Sequence, residues 1–193
     1  DDFTLLAPTY NDESVFKNYN ENKFSKNKKK NNQIKAFNKF NLKEVDFIDA
    51  HWVVNKSKIE SYKIMDETFF LYFETMDMCL KFKKEGKKMF IIDNIKFKHY
   101  GGASHEKKYD FEASLSRNWH YNWSKFYYFK KNYSYLYALK KFIPILLKLL
   151  IKYISKLFNH KKNEEKNLIK AEFSGALSSI FLKKPLYRPF KKK

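Results

Sequence analysis

The stretch Phe69–Cys79, FFLYFETMDMC, decides how the rest of this chain is read. An aromatic run meets a helical pattern there, and Glu74 and Asp77 stand three apart at the junction. Residues three apart share a helix face. Two carboxylates at the mouth of a helix suit general-base chemistry, in which one of them takes the proton of an attacking hydroxyl. The same acids also suit a plain helix start, where the positive end of the dipole favours negative charge. Further on, His99-Tyr-Gly-Gly-Ala-Ser104 places a histidine ahead of a glycine pair. Gly101-Gly102 gives a backbone that can approach a phosphate closely, and it equally suits a turn ending a strand.

Working outward, Thr75–Glu85 reads as a helix with Met76, Cys79 and Leu80 on its apolar face, stopped by Gly86. Phe3–Ala7 reads as a short buried strand ended by Pro8. Tyr10–Phe40, rich in Asn and Lys with a charge run at Lys26–Lys30, reads as a surface excursion. Val45–Asn55 returns to strand character through Val45, Phe47, Trp52, Val53 and Val54. Lys56–Tyr62 reads as a short helix. Phe90–Ile92 and Ile95–Phe97 read as two short strands parted by the turn pair Asp93-Asn94.

After Ser104 the pattern becomes helical and aromatic. Tyr109–Tyr133 carries Trp119, Trp123, Phe126, Tyr127 and Phe129. Ala138–Phe158, ALKKFIPILLKLLIKYISKLF, is a basic amphipathic helix interrupted near its start by Pro144. Lys141, Lys148, Lys152, Ser155 and Lys156 fall on one side, and Ile143, Leu146, Leu150, Tyr153, Ile154 and Leu157 opposite. Its lysines are too frequent for a comfortable membrane span. Two alternatives stand: a helix lying in a membrane interface, and a helix packed on the protein's own core. Asn163–Leu182 reads as a further helix, followed by the basic tail Lys183–Lys193.

Composition sets outer limits. Of 193 residues, 44% are hydrophobic and 19% aromatic, enough for a core. The net charge is +19, from 40 basic and 21 acidic residues, which suits a polyanion or an anionic membrane surface. Arg117 and Arg188 are the only arginines, so the bidentate reading of bases and phosphates that Arg performs best is scarce. The Lys, Asn, Phe and Tyr bias also fits an AT-rich genome, so charge alone identifies no ligand. Cys79 is the single cysteine, which excludes a disulfide framework and points to a reducing compartment. The first residues carry acids where a secretory signal has bases, and no initiator Met is present; the sequence reads as one entered in mid-protein.

The segment Val45–Ser104 resembles the C-terminal half of a family-2 glycosyltransferase catalytic domain, of the bacterial rhamnosyltransferase-like kind. The resemblance rests on six pieces in order: Val45-Asp46-Phe47; His51-Trp-Val-Val-Asn55; Asp66-Glu-Thr-Phe-Phe-Leu-Tyr-Phe-Glu74; Asp77-Met-Cys-Leu-Lys81 with Gly86; Met89-Phe-Ile-Ile92; and His99-Tyr-Gly-Gly-Ala-Ser104. Pro185-Leu-Tyr-Arg-Pro189 resembles an ending found in some relatives. The family implies an α/β fold: the C-terminal part of a GT-A-like mixed-sheet domain over residues 1–108, followed by a basic, aromatic-rich helical and membrane-associated region over 109–193.

It implies transfer of a sugar, rhamnose in this subfamily, from a nucleotide sugar to a hydroxyl of a glycan or lipid-linked acceptor, with inversion, in cell-surface polysaccharide synthesis. The base then belongs to Glu74 or Asp77, with Asp77 slightly favoured. Many relatives have adjacent Glu-Asp, whereas Thr75 follows Glu74 here. His99, Gly101, Gly102 and Ser104 would contact the diphosphate or a divalent cation, Mg²⁺ or Mn²⁺, with His99 as metal ligand. Asp49, His51 and Trp52 would contact the acceptor, although a core role suits Trp52 equally. The nucleotide-binding half, with its Asp-x-Asp motif, is missing, so a fragment with little activity of its own is expected. The expected location is cytoplasmic, peripheral on the inner face of the cell membrane.

Two other classes compete. A basic single-stranded nucleic-acid-binding module fits the charge and the interleaved aromatics of Lys125–Tyr137. The scarcity of Arg and the lack of a recognised motif count against it, and nucleic acid is not among the expected partners. A membrane-surface protein without catalysis would rest on Ala138–Phe158 alone.

Overall fold

The computed structural model describes residues 2–10, 34–37, 40–48, 51–60, 64–98, 105–157 and 163–189. The chain is mixed α/β and divides into two compact units. Residues 1–66 and 75–101 form a sheet unit, and residues 67–74 and 102–193 a helical unit. The segment Glu67–Glu74 packs with the helices.

In the sheet unit, β1 (Leu5–Tyr10), β2 (Ile34–Phe37), β3 (Phe40–Glu44), β4 (Val53–Val54) and β5 (Met89–Phe97) lie in the order β2-β3-β5-β1-β4. Only the β1–β5 pair is parallel; the others are antiparallel. β5 is central, and its first residues, Met89, Phe90 and Ile91, are all buried. Such a run, without polar alternation, is what a strand covered on both faces requires. Between β4 and β5 runs α1 (Glu74–Lys84), which returns the chain through Gly86 at φ +71°. Only glycine adopts that left-handed geometry without strain, which is why the helix stops there.

Several sequence readings change. β1 does not end at Pro8 but runs through it to Tyr10. Pro8 stands beyond the residues that pair with β4, and at the point where the ladder with β5 shifts register, so its missing N–H interrupts little. Asp93-Asn94 does not break β5 into two strands. It lies in the irregularity that takes the partner of Pro8, Ile92, to the partner of Thr9, Lys96, and the Thr9 hydroxyl donates to Ile95 O at 2.9 Å across it. Of the excursion read over Tyr10–Phe40, Tyr10 ends β1, Ile34–Phe37 is the hairpin arm β2 and Phe40 begins β3; residues 11–33 and 38–39 lie outside the described residues. Among the described residues of Val45–Asn55, strand character is confined to Val53–Val54 and to Val45 N, which donates to Met89 O at 2.9 Å. Of the helix read at Lys56–Tyr62, Lys56–Lys58 is a 3-10 turn capped by Asn55, and residues 61–62 lie outside the described residues. The buried face of α1 is Thr75, Asp77, Met78, Cys79 and Phe82; Met76 and Leu80 are only half-buried. Leu5, Ala7, Ile48, Met78, Cys79, Phe82, Met89 and Ile91 form the core, with Val45, Phe47, Trp52 and Val54 packed around it.

The helical unit contains α2 (Asp110–Asn132), α3 (Tyr135–Leu157) and α4 (Asn163–Ile180). Ser134 caps α3 by accepting a hydrogen bond from Tyr137 N at 3.1 Å. Pro144 lies inside a continuous α3 rather than interrupting it. Its ring removes one ladder bond on the exposed side, which the packed face tolerates. α2 and α4 pack closely because Gly175 has no side chain: a Cβ there would lie 2.2 Å from Trp119 O. Trp119 and Trp123 with Ala171 form the seam. Both indoles are satisfied, Trp119 Nε1 donating to Ser174 Oγ at 3.1 Å and Trp123 Nε1 to Lys183 O at 2.8 Å. The Phe126 and Phe142 rings meet edge to face at 5.2 Å between α2 and α3.

Gly175→Ala should therefore lower the unfolding free energy of the helical unit by about 2 kcal/mol or more, through overpacking against backbone. Gly86→Ala meets no neighbouring atom. It should cost only the left-handed strain, about 1–2 kcal/mol. Denaturant titrations of both variants check this; a harmless Gly175→Ala would show that α2 and α4 do not approach this closely.

Candidate functional site

The aromatic run Phe69–Phe73 folds against α2 ring by ring. Phe69 meets Tyr127 edge-on at 4.9 Å, and Phe70 lies 4.6 Å from the His120 ring with the Arg188 guanidinium 3.9 Å from its centroid. Tyr72 and Phe73 both contact Tyr121, and Phe73 also contacts Tyr128. The Ser124 hydroxyl donates to Leu71 O at 2.8 Å. These contacts hold Tyr72 at φ +68° and Phe73 at φ +67°, two consecutive left-handed non-glycine residues. Each costs on the order of 1–3 kcal/mol, and such strain persists only where the surroundings impose it. The next residue, Glu74, opens α1.

Beside this turn, Tyr72, Ser114, Arg117, Asn118 and Tyr121 line an open cavity of about 220 Å³. The four α2 residues recur at helical spacing and so share one face. Arg117 Nη2 donates to Ser114 Oγ at 3.1 Å, and Asn118 Nδ2 donates to Ser114 O at 2.9 Å. Burial pushes the Tyr72 phenol up; the Arg117 charge opposes that shift and the Glu74 carboxylate adds to it. Burial likewise raises Tyr121, and lowers Lys125, whose ammonium lies 5.6 Å from the centroid of the Tyr121 ring. One guanidinium, two phenols, a hydroxyl and an amide thus surround a space suited to one polar, oxygen-rich group. Arg is the side chain that holds anionic oxygens in a planar fork.

The expected site residues separate. Glu74 and Asp77 open the same helix, but Glu74 is half-buried and its charge reaches Tyr72, whereas Asp77 is buried, with 5% of its surface exposed. His51 is exposed, and Trp52 packs at the edge of the sheet-unit core. Asp49, His99, Gly101, Gly102 and Ser104 lie outside the described residues. Among the described residues no group of three or more His, Cys, Asp or Glu could hold a metal ion. Arg117 and Tyr72 were not among the expected site residues. The signal for Arg117 was present: one of only two arginines in a lysine-rich chain, with Ser, Asn and Tyr at helical spacing around it. Comparison with protein-family models, curated proteins and solved structures finds no match.

His120 is fully buried beside this site and donates from Nε2 to Tyr187 O at 3.2 Å. Its pKa is lowered, first by burial, then by the Arg188 charge, against the opposing Tyr187 hydrogen bond. The unfolded chain thus takes up the proton more readily than the fold. Stability is complete above an unfolded pKa of about 6.5, falls as pH drops through it, and levels off below the folded value. Denaturant titrations between about pH 8 and pH 5 should show this loss. It should be smaller in His120→Gln, and parallel profiles would contradict the assignment.

Proposed function

We propose that the chain is the acceptor-side part of an inverting, family-2-like glycosyltransferase. It would transfer a sugar, rhamnose by subfamily resemblance, from a nucleotide sugar to a hydroxyl of a glycan or lipid-linked acceptor. The reading rests on one observation above others: a carboxylate that opens a helix acts on a phenol lining a cavity that also holds an arginine, a hydroxyl and an amide. Transfer to a hydroxyl needs a base near the acceptor oxygen, hydrogen-bond partners for the sugar, and positive charge for the anionic leaving group. Glu74 supplies the first, Tyr72, Ser114, Asn118 and Tyr121 the second, and Arg117 the third.

Within the acidic pair, geometry favours Glu74 over Asp77 as the base, the reverse of the slight preference drawn from sequence. A base must reach its proton within hydrogen-bond distance. Glu74 is half-buried beside Tyr72, whose phenol lines the cavity and feels its charge, and Asp77 is turned into the buried face of α1. A divalent cation would screen the charge of the diphosphate. The helix-strand order α1, Gly86, β5 follows the order that the resemblance implies. The location consistent with a lipid-linked acceptor is peripheral, on the inner face of the cell membrane.

This reading takes precedence over single-strand nucleic-acid binding because the aromatics of Lys125–Tyr137 are engaged with one another. Tyr133 stacks on Tyr137, Phe129 contacts both, and Phe126 and Tyr128 are buried. Base stacking needs exposed ring faces.

Transfer by the complete gene product against a panel of nucleotide sugars tests the proposal. Glu74→Gln should lower kcat by roughly 10²–10⁴-fold with the fold intact. Asp77→Asn should act mainly on stability. Near-normal turnover in both variants would remove the base from this helix. Arg117→Lys keeps the charge but loses the planar fork, and should weaken donor use more than tenfold. Unchanged donor kinetics would exclude Arg117 from the site.

A further inference from the structure

The third helix, α3, has two apolar faces rather than one. Ala138, Phe142 and Leu149 are buried against the bundle. Leu136, Ile143, Leu147, Leu150, Ile151 and Ile154 are all exposed, Leu136 by 75%, Leu147 by 56% and Ile151 by 68%. At about 100° per residue these six fall within about 60° of Leu147, on the side opposite the buried face. The lysines occupy a third position. Lys141, Lys148 and Lys152 form an exposed row along one flank of the stripe, and Lys140 lies within it. α3 contains no Asp or Glu.

A soluble surface seldom leaves so continuous an apolar stripe uncovered. We propose that this stripe is a docking surface for an anionic lipid bilayer, with α3 lying in the interface plane. The apolar side chains would enter the acyl boundary while Lys140, Lys141, Lys148 and Lys152 reach the headgroup phosphates. Charge complementarity selects this occupant. An anionic headgroup layer neutralises the lysine row. A second copy of the chain would bring two such rows together on molecules of net charge +19. No described helix is long and apolar enough to cross a membrane, so lying on the surface is the geometry left to α3. The inference deepens the peripheral location proposed above, but it is independent of the transfer reaction.

The test is flotation of the complete protein with phosphatidylcholine vesicles made with and without phosphatidylglycerol. Binding should be strong to the anionic vesicles and weak to the others, and should fall as salt rises. Leu147→Asn with Ile151→Asn should reduce it on the order of a hundredfold, since both side chains would otherwise enter the acyl boundary. Lys141, Lys148 and Lys152 changed together to Gln should reduce it by a similar factor. All five positions are exposed; Lys152 also faces the Glu172 carboxylate and Lys141 the Tyr137 ring, so circular dichroism at the flotation temperature should show each variant folded. Absent or equal binding to the two vesicle types overturns the proposal. So does wild-type binding by the Asn variant, or a concentration-dependent dimer that the Asn substitutions abolish without lipid. Transfer to a water-soluble acceptor, measured alongside, is expected to survive these substitutions, which separates failure of lipid docking from failure of the catalytic reading.

Discussion

The left-handed turn at Tyr72–Phe73 is the constraint on which the rest of the site depends. Neither residue is glycine, and both are bulky, so the chain would leave this geometry if released. It is held because each ring of Phe69–Phe73 finds a partner in the helical unit and because Ser124 fixes Leu71 O between them. Aromatic pairs of this kind contribute about 0.5–1.5 kcal/mol each beyond the area that they bury, so several together can offset two strained residues. The consequence is local and chemical. Tyr72 is presented to a cavity on α2, and Glu74, the residue after the Tyr72–Phe73 turn, opens a helix.

Close packing of α2 and α4 around Gly175 serves the same end from the other side. α2 carries four of the cavity residues on one face, and Trp119, one position from His120, lies against α4. The Tyr187 ring stacks on Trp119 at 5.2 Å, and Arg188 covers Phe70. The segment after α4 thereby returns to the aromatic run. Both arginines of the chain meet that run or its cavity. That distribution separates a placed guanidinium from charge that composition alone would supply.

Much of the helical architecture was legible in the sequence, because long periodic segments carry their own signal. The limits of α2 agree with the pattern to within a residue, and Gly86 ends α1 as its backbone freedom requires. The strands were less legible. Asp93-Asn94 has turn chemistry, but pairing on both sides absorbed it as an irregularity within β5, and Pro8 is tolerated for a related reason. Periodicity also misassigned the face of α1, because Phe82 and Met78 bury more surface than Met76 and Leu80 in this packing. On α3 a single apolar and a single basic side had been expected. Two apolar faces exist because Phe142 and Leu149 serve the bundle while the Ile143–Ile154 stripe does not. In the candidate site, the acids were visible as a spaced pair. Their different surroundings were not, since burial of Asp77 is set by tertiary packing, and Tyr72 drew no notice because nothing in a sequence announces a left-handed tyrosine.

The central claim is that the locked turn and Arg117 build one cavity for an oxygen-rich, anionic sugar ligand. Fluorotyrosine NMR of the complete protein, titrated with a panel of nucleotide sugars, addresses it most directly. The account predicts that the Tyr72 and Tyr121 signals shift together and saturate with at least one member of the panel, and that both shifts vanish in Arg117→Lys while the folded spectrum remains. Signals that respond to no nucleotide sugar, or shifts that persist unchanged in Arg117→Lys, would contradict it.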